Sequence, residues 1–208
     1  RITALRAARQ LNSKDLKAVA RLVNDKDPQV RRECAIALRH NPAPEAAELW
    51  AQLAVQYSDS DRWYLEALGI GADKQWDRFF EAYLQKVPEP IRTAEGKDII
   101  WRARTHKALP LLARLAVDET TGWQERQRYF RAFDFHPDAK KTDVLLGLIA
   151  GNTKNDIQLN TLLLHHLYPD AVKRSAAAQK ALRSVLVSVY GTDTYIDLVK
   201  RYGVKTEK

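Results

Sequence analysis

The sequence predicts an all-α protein that folds as a right-handed α-solenoid, an α-α superhelix of about four to five helical hairpins. Apolar residues recur at steps of three and four along most of the chain, which is the period of an amphipathic helix. Candidate second helices of the hairpins recur at a spacing centred in the low thirties. Because one hairpin cannot bury its own apolar face, neighbours are expected to stack into a single domain over residues 1–208.

The elements follow from these apolar stripes and from the residues that interrupt them. Asp27 is a predicted N-cap with Pro28 at the first helical position, and Gly69 and Gly71 are predicted to form a turn after a helix that ends at Leu68. The apolar stripes lie in 46–57, 76–84, 144–149, 159–166 and 182–189. Further breaks are expected at 41–44, 88–90, 109–110, 120–122, 136–138, 151–152 and 168–170. Second helices are predicted to begin near Asp27, Asp59, Asp98, Trp123 and Asp156, and capping helices to occupy 170–208.

One segment carries a family resemblance. DKDPQVRRECAIAL (25–38) resembles the second helix of a HEAT-type repeat, in which an Asp-Pro turn is followed by Val-Arg and small residues leading to Ala-Leu. EALGIGAD (66–73) is similar to the end of such a repeat, whereas RYFRAFDFHPD (128–138) departs from the pattern by replacing small residues with aromatics. The resemblance implies an armadillo-type fold with a non-catalytic, protein-binding role.

A narrower resemblance covers much of 25–204. The series DRWYLEALGIGAD, IIWRARTHKALPLLARL, RYFRAFDFHP and YIDLVKRYGV is similar to the HEAT-type segment of large exported bacterial proteins. Those proteins combine that segment with a sugar-dehydrogenase-like β-propeller and a c-type haem domain. The resemblance implies that this chain spaces or docks domains in a multidomain protein, exported or periplasmic. The chain has no Met, which also indicates a piece of a longer protein, and it has no Cys-x-x-Cys-His haem motif.

Composition limits the remaining possibilities. No apolar run approaches the ~18 residues of a membrane span, so membrane insertion is not expected. A formal charge of +8 permits contact with nucleic acid, but the basic residues are spread along the chain. The single cysteine, Cys34, excludes an intramolecular disulfide and is expected to be buried.

The candidate binding residues form a recurring pattern. Arg62 precedes two aromatic residues, Arg128 does so 66 residues later, and Trp101-Arg102 falls between them. Such recurrence favours a packing ladder, with the acids as caps, the aromatics in the core and Arg62 in an interhelix salt bridge. The other hypothesis is a binding face on the second helices. The candidate partner-binding residues are Arg62, Trp63, Trp101, Arg102, Arg128, Tyr129 and Arg131.

No residue pattern points to catalysis, a cofactor or a metal. The Gly-x-Gly at 69–71 follows a predicted helix rather than a strand, and His166 continues an apolar stripe as a core histidine would. The sequence therefore predicts a scaffold that binds protein. The main alternative is a nucleic-acid-binding HEAT-like protein such as an alkylated-base DNA glycosylase. Trp76-Asp77 is a feature that fits such an enzyme, but Trp76 lies in an apolar stripe, which indicates burial. A chromophore-lyase-like HEAT protein is a third possibility without specific support.

Overall fold

The computed structural model describes residues 1–11, 15–136 and 139–204. Within these ranges the chain forms fourteen α-helices and three short 3-10 helices, with no strand, so the all-α prediction is confirmed. None of the described helices combines the length and apolarity needed to cross a membrane. The chain divides into two compact units, residues 1–111 and 112–208. Part of the predicted turn at 136–138 and the last four residues of the predicted capping segment lie outside the described residues.

The first unit contains seven helices and two 3-10 turns. They are α1 (Ile2–Gln10), α2 (Lys17–Leu22), α3 (Pro28–Ala37), α4 (Glu45–Val55), α5 (Arg62–Gly71), α6 (Trp76–Lys86) and α7 (Ala94–Arg102), with 3-10 turns at Pro90–Arg92 and His106–Ala108. Helix α3 packs against α1 and α5, α5 also contacts α7, and α4 packs against α6. In this unit a helix packs mainly against the helix two places along the chain. Successive helices of the first unit therefore alternate between two layers.

Side-chain caps set the starts of the second helices in this unit. Asp27 accepts the N–H of Gln29 at the start of α3, and Asp61 accepts that of Tyr64 at the start of α5. Thr93 caps α7 through the N–H of Gly96, so the prediction that this helix begins near Asp98 is wrong. Threonine at a helix start is a weaker sequence signal than an Asp-Pro pair, which explains the error.

The core of the first unit is aromatic, and its polar ring atoms are bonded. The ring of Trp50 is fully buried, lies 5.6 Å from that of Phe79, and donates from Nε1 to the carbonyl oxygen of Leu68 at 3.0 Å. The Tyr64 hydroxyl, also buried, donates to the carbonyl oxygen of Leu53 at 3.0 Å. These bonds avoid the roughly 1–3 kcal/mol that an unpaired buried polar group costs.

The two glycines of the predicted turn lie inside a helix, so that prediction is wrong. Helix α5 continues through Gly71. A Cβ at Gly71 would overlap the carbonyl oxygen of Ala35 on α3, because the two helices approach closely at this point. Gly71 thus permits the contact between α3 and α5 and does not serve to end the helix.

We expect Gly71→Ala to lower the free energy of unfolding by about 1–3 kcal/mol, because the added methyl group must push α5 away from α3. Gly147→Ala is the matched control. Gly147 also lies in a helix, but nothing surrounds its Cβ position, so alanine should stabilise by up to about 1 kcal/mol. Thermal and urea unfolding measure both changes, and a stabilising Gly71→Ala would contradict the described packing.

The second unit contains the remaining helices. They are α8 (Leu109–Val117, which starts before the unit boundary), α9 (Trp123–Ala132), α10 (Ala139–Gly151), α11 (Ile157–His166), α12 (Pro169–Arg174), α13 (Ala176–Ser188) and α14 (Asp193–Tyr202), with a 3-10 turn at Phe133–Phe135. Helix α13 packs against α10, α11 and α12, and α11 also contacts α9. The unit therefore lacks the regular alternation of the first one. Gly203, with a φ of 60°, ends α14 in the left-handed conformation.

The predictions that His166 is a core histidine and that Cys34 is buried are confirmed. His166 is mostly buried, stacks on Phe130 with ring centroids 5.9 Å apart, and bonds Asp134 through Nδ1 at 2.8 Å. Cys34 has no exposed surface. Burial, together with the nearby charges of Asp25 and Glu33, raises the pKa of the Cys34 thiol to about 12. The thiol is therefore inert at neutral pH.

Candidate functional site

Four of the predicted binding residues lie together on the first unit, where α5 and α7 are neighbours. Arg62 and Trp63 are the first two residues of α5. The side chain of Arg62 is 67% exposed, and Trp63 as a whole residue is 73% exposed. Trp101 and Arg102 end α7 and are half-buried. Together with Glu66 these residues define the α5–α7 surface.

Glu66 joins the arginines of the α5–α7 surface. Its Oε1 accepts Nε and Nη2 of Arg62 at 2.9 and 2.8 Å, and its Oε2 accepts Nε of Arg102 at 3.2 Å. The prediction that Arg62 forms an interhelix salt bridge is therefore wrong. Arg62 pairs with Glu66 within α5, and Arg102 forms the salt bridge between α7 and α5. Arg62 reaches α7 by another interaction, its guanidinium lying 5.8 Å from the ring centre of Trp101.

The aromatic pair after Arg62 divides between core and surface. Tyr64 is buried as predicted, whereas Trp63 is the most exposed of the large aromatic side chains of the first unit within the described residues. The two side chains point about 100° apart on the helix, and only that of Tyr64 is directed into the core. The expectation that both aromatics are core residues is wrong for Trp63.

The equivalent triplet in the second unit is placed differently. Arg62 is the first residue of α5, but Arg128 is the sixth residue of α9. Tyr129 is fully buried and its hydroxyl bonds Glu125, Arg128 is half-buried, and Arg131 is exposed. The two triplets therefore do not occupy matching positions, and the 66-residue spacing does not produce a ladder of equivalent arginines.

Sequence reasoning missed a cleft next to the α5–α7 surface. It has a volume of about 820 Å³ and lies where α3, α5 and α7 end and α6 begins. Its cations are Arg39, Lys74, Arg78, Arg102 and Arg104, and its carboxylates are Asp73 and Asp77. We call it the cationic cleft. The missed signal is that a basic residue follows the end of α3, α5 and α7 within two or three positions, at residues 39, 74 and 104.

On one side of the cationic cleft, Asp73 contacts two basic side chains. Asp73 accepts Nη2 of Arg39 at 2.7 Å and contacts Nε2 of His40 at 3.0 Å. The hydrogen bond from Arg39, followed by that of His40, lowers the pKa of Asp73. Asp77 accepts the hydroxyl of Thr105. Both carboxylates of the cleft are therefore engaged by neighbouring side chains.

Two arginines of the cleft are held by neutral oxygens. Arg78 donates to the carbonyl oxygens of Pro42 and Ala43 at 3.2 and 2.9 Å, and to that of Asn41. Arg104 donates to the carbonyl oxygens of Trp101 and Ala103 at 2.9 and 3.0 Å. Such bonds fix the guanidinium groups at helix ends and do not neutralise their charge.

The pKa of Arg104 is lowered, mainly because its guanidinium group is partly buried. Burial is the main cause that lowers this pKa to about 10, and the charge of Arg102 adds to it, while Glu66 opposes the change. An anion placed near Arg104 and Arg102 would lower the energy of both guanidinium groups. The cleft can therefore hold an anionic group.

Gly69 leaves room for the side chain of Arg102. The Arg102 guanidinium lies directly against the α carbon of Gly69, so any side chain there would overlap it. Glycine inside a helix costs about 1 kcal/mol relative to alanine, and here it provides the space in which Arg102 reaches both Glu66 and the cleft.

Comparisons with known proteins give no match: no protein-family model fits the chain, and neither the curated proteins nor the solved structures yield a similar one. Among the described residues, no group of three or more His, Cys, Asp or Glu side chains is placed to hold a metal ion.

We expect Glu66→Gln to lower the free energy of unfolding by about 1 kcal/mol at neutral pH, because both arginines lose their carboxylate. Burial raises the pKa of Glu66, but the hydrogen bond of Arg62 and the charge of Arg102 outweigh it, so the pKa is lowered. The stabilisation is therefore present above the pKa of an unfolded glutamate and is lost as the pH falls through the lower folded value.

Urea unfolding of wild type and Glu66→Gln at pH 7 and at about pH 3 tests this, since the difference should shrink at acid pH. Glu119→Gln is a control, because the ion pair between Glu119 and Lys154 is exposed at both side chains. A difference that is independent of pH would contradict an ionic role for Glu66.

Proposed function

We propose that the chain is a non-catalytic helical-repeat scaffold whose α5–α7 surface binds another protein or another domain of the same chain. The observation that carries this proposal is the exposure of Trp63 beside a fixed charged group. Trp63 is 73% exposed on a helix in which six of the ten residues are buried, and Glu66 bonds Arg62 and Arg102 beside it. Tryptophan and arginine are the residues that most often dominate protein interfaces.

The HEAT-like solenoid is part of the same proposal. Helices next but one pack together in the first unit. The helices α3, α5, α7, α9 and α11 begin at residues 28, 62, 94, 123 and 157, so successive starts are 34, 32, 29 and 34 residues apart. This spacing supports a repeat of two helices per unit, with the right-handed superhelix as the expected arrangement.

The context proposed for the scaffold follows from its resemblance to HEAT-type segments of large exported bacterial proteins. In such a protein the chain would space or dock the flanking domains, and it would be exported or periplasmic. The α5–α7 surface supports a binding role over a catalytic one, because the carboxylate of Glu66 is ion-paired with both Arg62 and Arg102. A fixed charged group of this kind suits binding.

Nucleic-acid binding remains the second candidate, and the cationic cleft is the observation that favours it. The tryptophan considered for a glycosylase does not support it, however. Trp76 is only 6% exposed and packs edge-on against Trp50 with ring centres 5.6 Å apart, so it belongs to the core. A buried ring cannot stack on a base.

Photo-crosslinking in the producing cell tests the proposal. Replacing Trp63 by the photoreactive p-benzoylphenylalanine keeps an aromatic side chain at an exposed position, and should yield a discrete protein adduct. Tyr190, an exposed aromatic residue of the second unit, is the matched control position and should not yield that adduct.

Two outcomes contradict the proposal. The same adducts from both positions would mean that Trp63 marks no specific surface. A nuclease-sensitive adduct from the Trp63 position would favour nucleic-acid binding instead.

A further inference from the structure

We propose that the cationic cleft binds a short acidic segment of a protein, through aspartate or glutamate carboxylates. This inference rests on the proposed binding function and names the chemistry of the partner.

The charge of the first unit is concentrated in the cleft. Residues 1–111 contain 19 Lys and Arg against 15 Asp and Glu, a formal charge of +4. The cleft contains five of these cations and two of the carboxylates, a formal charge of +3. Most of the excess positive charge of the unit therefore faces one cavity, which is the condition for attracting an anionic partner.

Two acids at or beside the cleft are each shared between two basic side chains. Arg39 and His40 share one carboxylate, that of Asp73. Arg62 and Arg102 likewise share Glu66. Arg78 is bonded to neutral backbone and amide oxygens. Arg39 and Arg102 thus each share an acid with a second basic side chain, and Arg78 is bonded to neutral oxygens, so added carboxylates can pair with these three guanidinium groups.

Lys74 adds a cation at a strained position. Its φ is 58°, in the left-handed region where glycine and asparagine are the usual residues. Its side chain is exposed and lines the cleft. A lysine ammonium group on a flexible stem suits the capture of an incoming carboxylate.

The apolar residues beside the cleft indicate a peptide partner. Ile70 lines the cleft, is partly exposed, and lies seven residues after Trp63 on α5, so both side chains lie on one face of the helix. A small inorganic anion would leave this strip uncovered. A peptide with acidic residues and a large apolar side chain can contact both the cations and the strip.

The rim of the cleft disfavours a long polyanion. Asp77 lines the cleft, Glu81 lies one helical turn further along α6, and both are exposed. An extended nucleic acid would bring its phosphates against these carboxylates, whereas a short segment can end within the cavity of about 820 Å³. The charges therefore favour the short acidic peptide.

Fluorescence anisotropy with the purified chain tests this inference. The probe is a short fluorescein-labelled peptide of aspartate, glutamate and leucine residues, and a sequence with lysine in place of its acids is the control probe. We expect the acidic probe to bind and its affinity to fall as ionic strength rises, because salt screens the charges. The lysine probe should not bind.

Two substitutions of Lys74 locate the site. Lys74→Glu should weaken binding of the acidic probe roughly tenfold, and Lys74→Asn roughly three- to fivefold. Asparagine tolerates the left-handed conformation, so the Lys74→Asn variant should be at least as stable as wild type, and weaker binding cannot then be ascribed to unfolding. Lys180→Glu, at an exposed position on α13, makes the same charge change and should leave the affinity unchanged.

Several results would overturn the inference. These are absence of binding at low salt, equal losses for Lys74→Glu and Lys180→Glu, displacement of the probe by inorganic phosphate at matched charge concentration, or tighter binding of a single-stranded oligonucleotide. A specific protein adduct at the Trp63 position, combined with no binding of the acidic probe, would overturn this inference and leave the proposed function supported.

Discussion

The close approach of α3 and α5 is the constraint on which the rest of the first unit depends. At Gly71 the α5 backbone meets the carbonyl oxygen of Ala35 with no room for a side chain. On the same stretch of α5, Nε1 of Trp50 on α4 donates to the carbonyl oxygen of Leu68, and this bond joins the two helical layers. The packing of α5 against α3 therefore determines where Arg62, Trp63 and Gly69 lie in the unit.

The α5–α7 surface and the cationic cleft meet at Arg102. Its guanidinium lies on Gly69, bonds Glu66 on one side and lines the cavity on the other. A partner that contacts Trp63 and a partner that enters the cleft would therefore both influence the same side chain. This arrangement favours one extended binding surface over two independent ones.

The sequence was sufficient for the fold class and for many helix starts, because Asp27, Pro28 and the apolar stripes act locally. It misplaced the start of α7, where Thr93 is a weaker local signal than the acid at Asp98. It also misread Gly69 and Gly71, since a glycine required by a neighbouring helix looks the same as a glycine that ends one. The cleft was missed because its cations fall in three groups along the chain, at residues 39, 74–78 and 102–104, and only the packing of helix ends brings them together. The right-handed solenoid and the partner stay predictions.

Cys34 has a practical consequence for studying this molecule. It is the only cysteine of the chain, it is fully enclosed, and its thiol is protonated at neutral pH. A cysteine introduced on the exterior would consequently be the sole thiolate available to maleimide reagents in the native protein. Spin labels or paired dyes can be attached at chosen points without first removing the natural residue, which opens inter-unit distances to direct spectroscopic measurement.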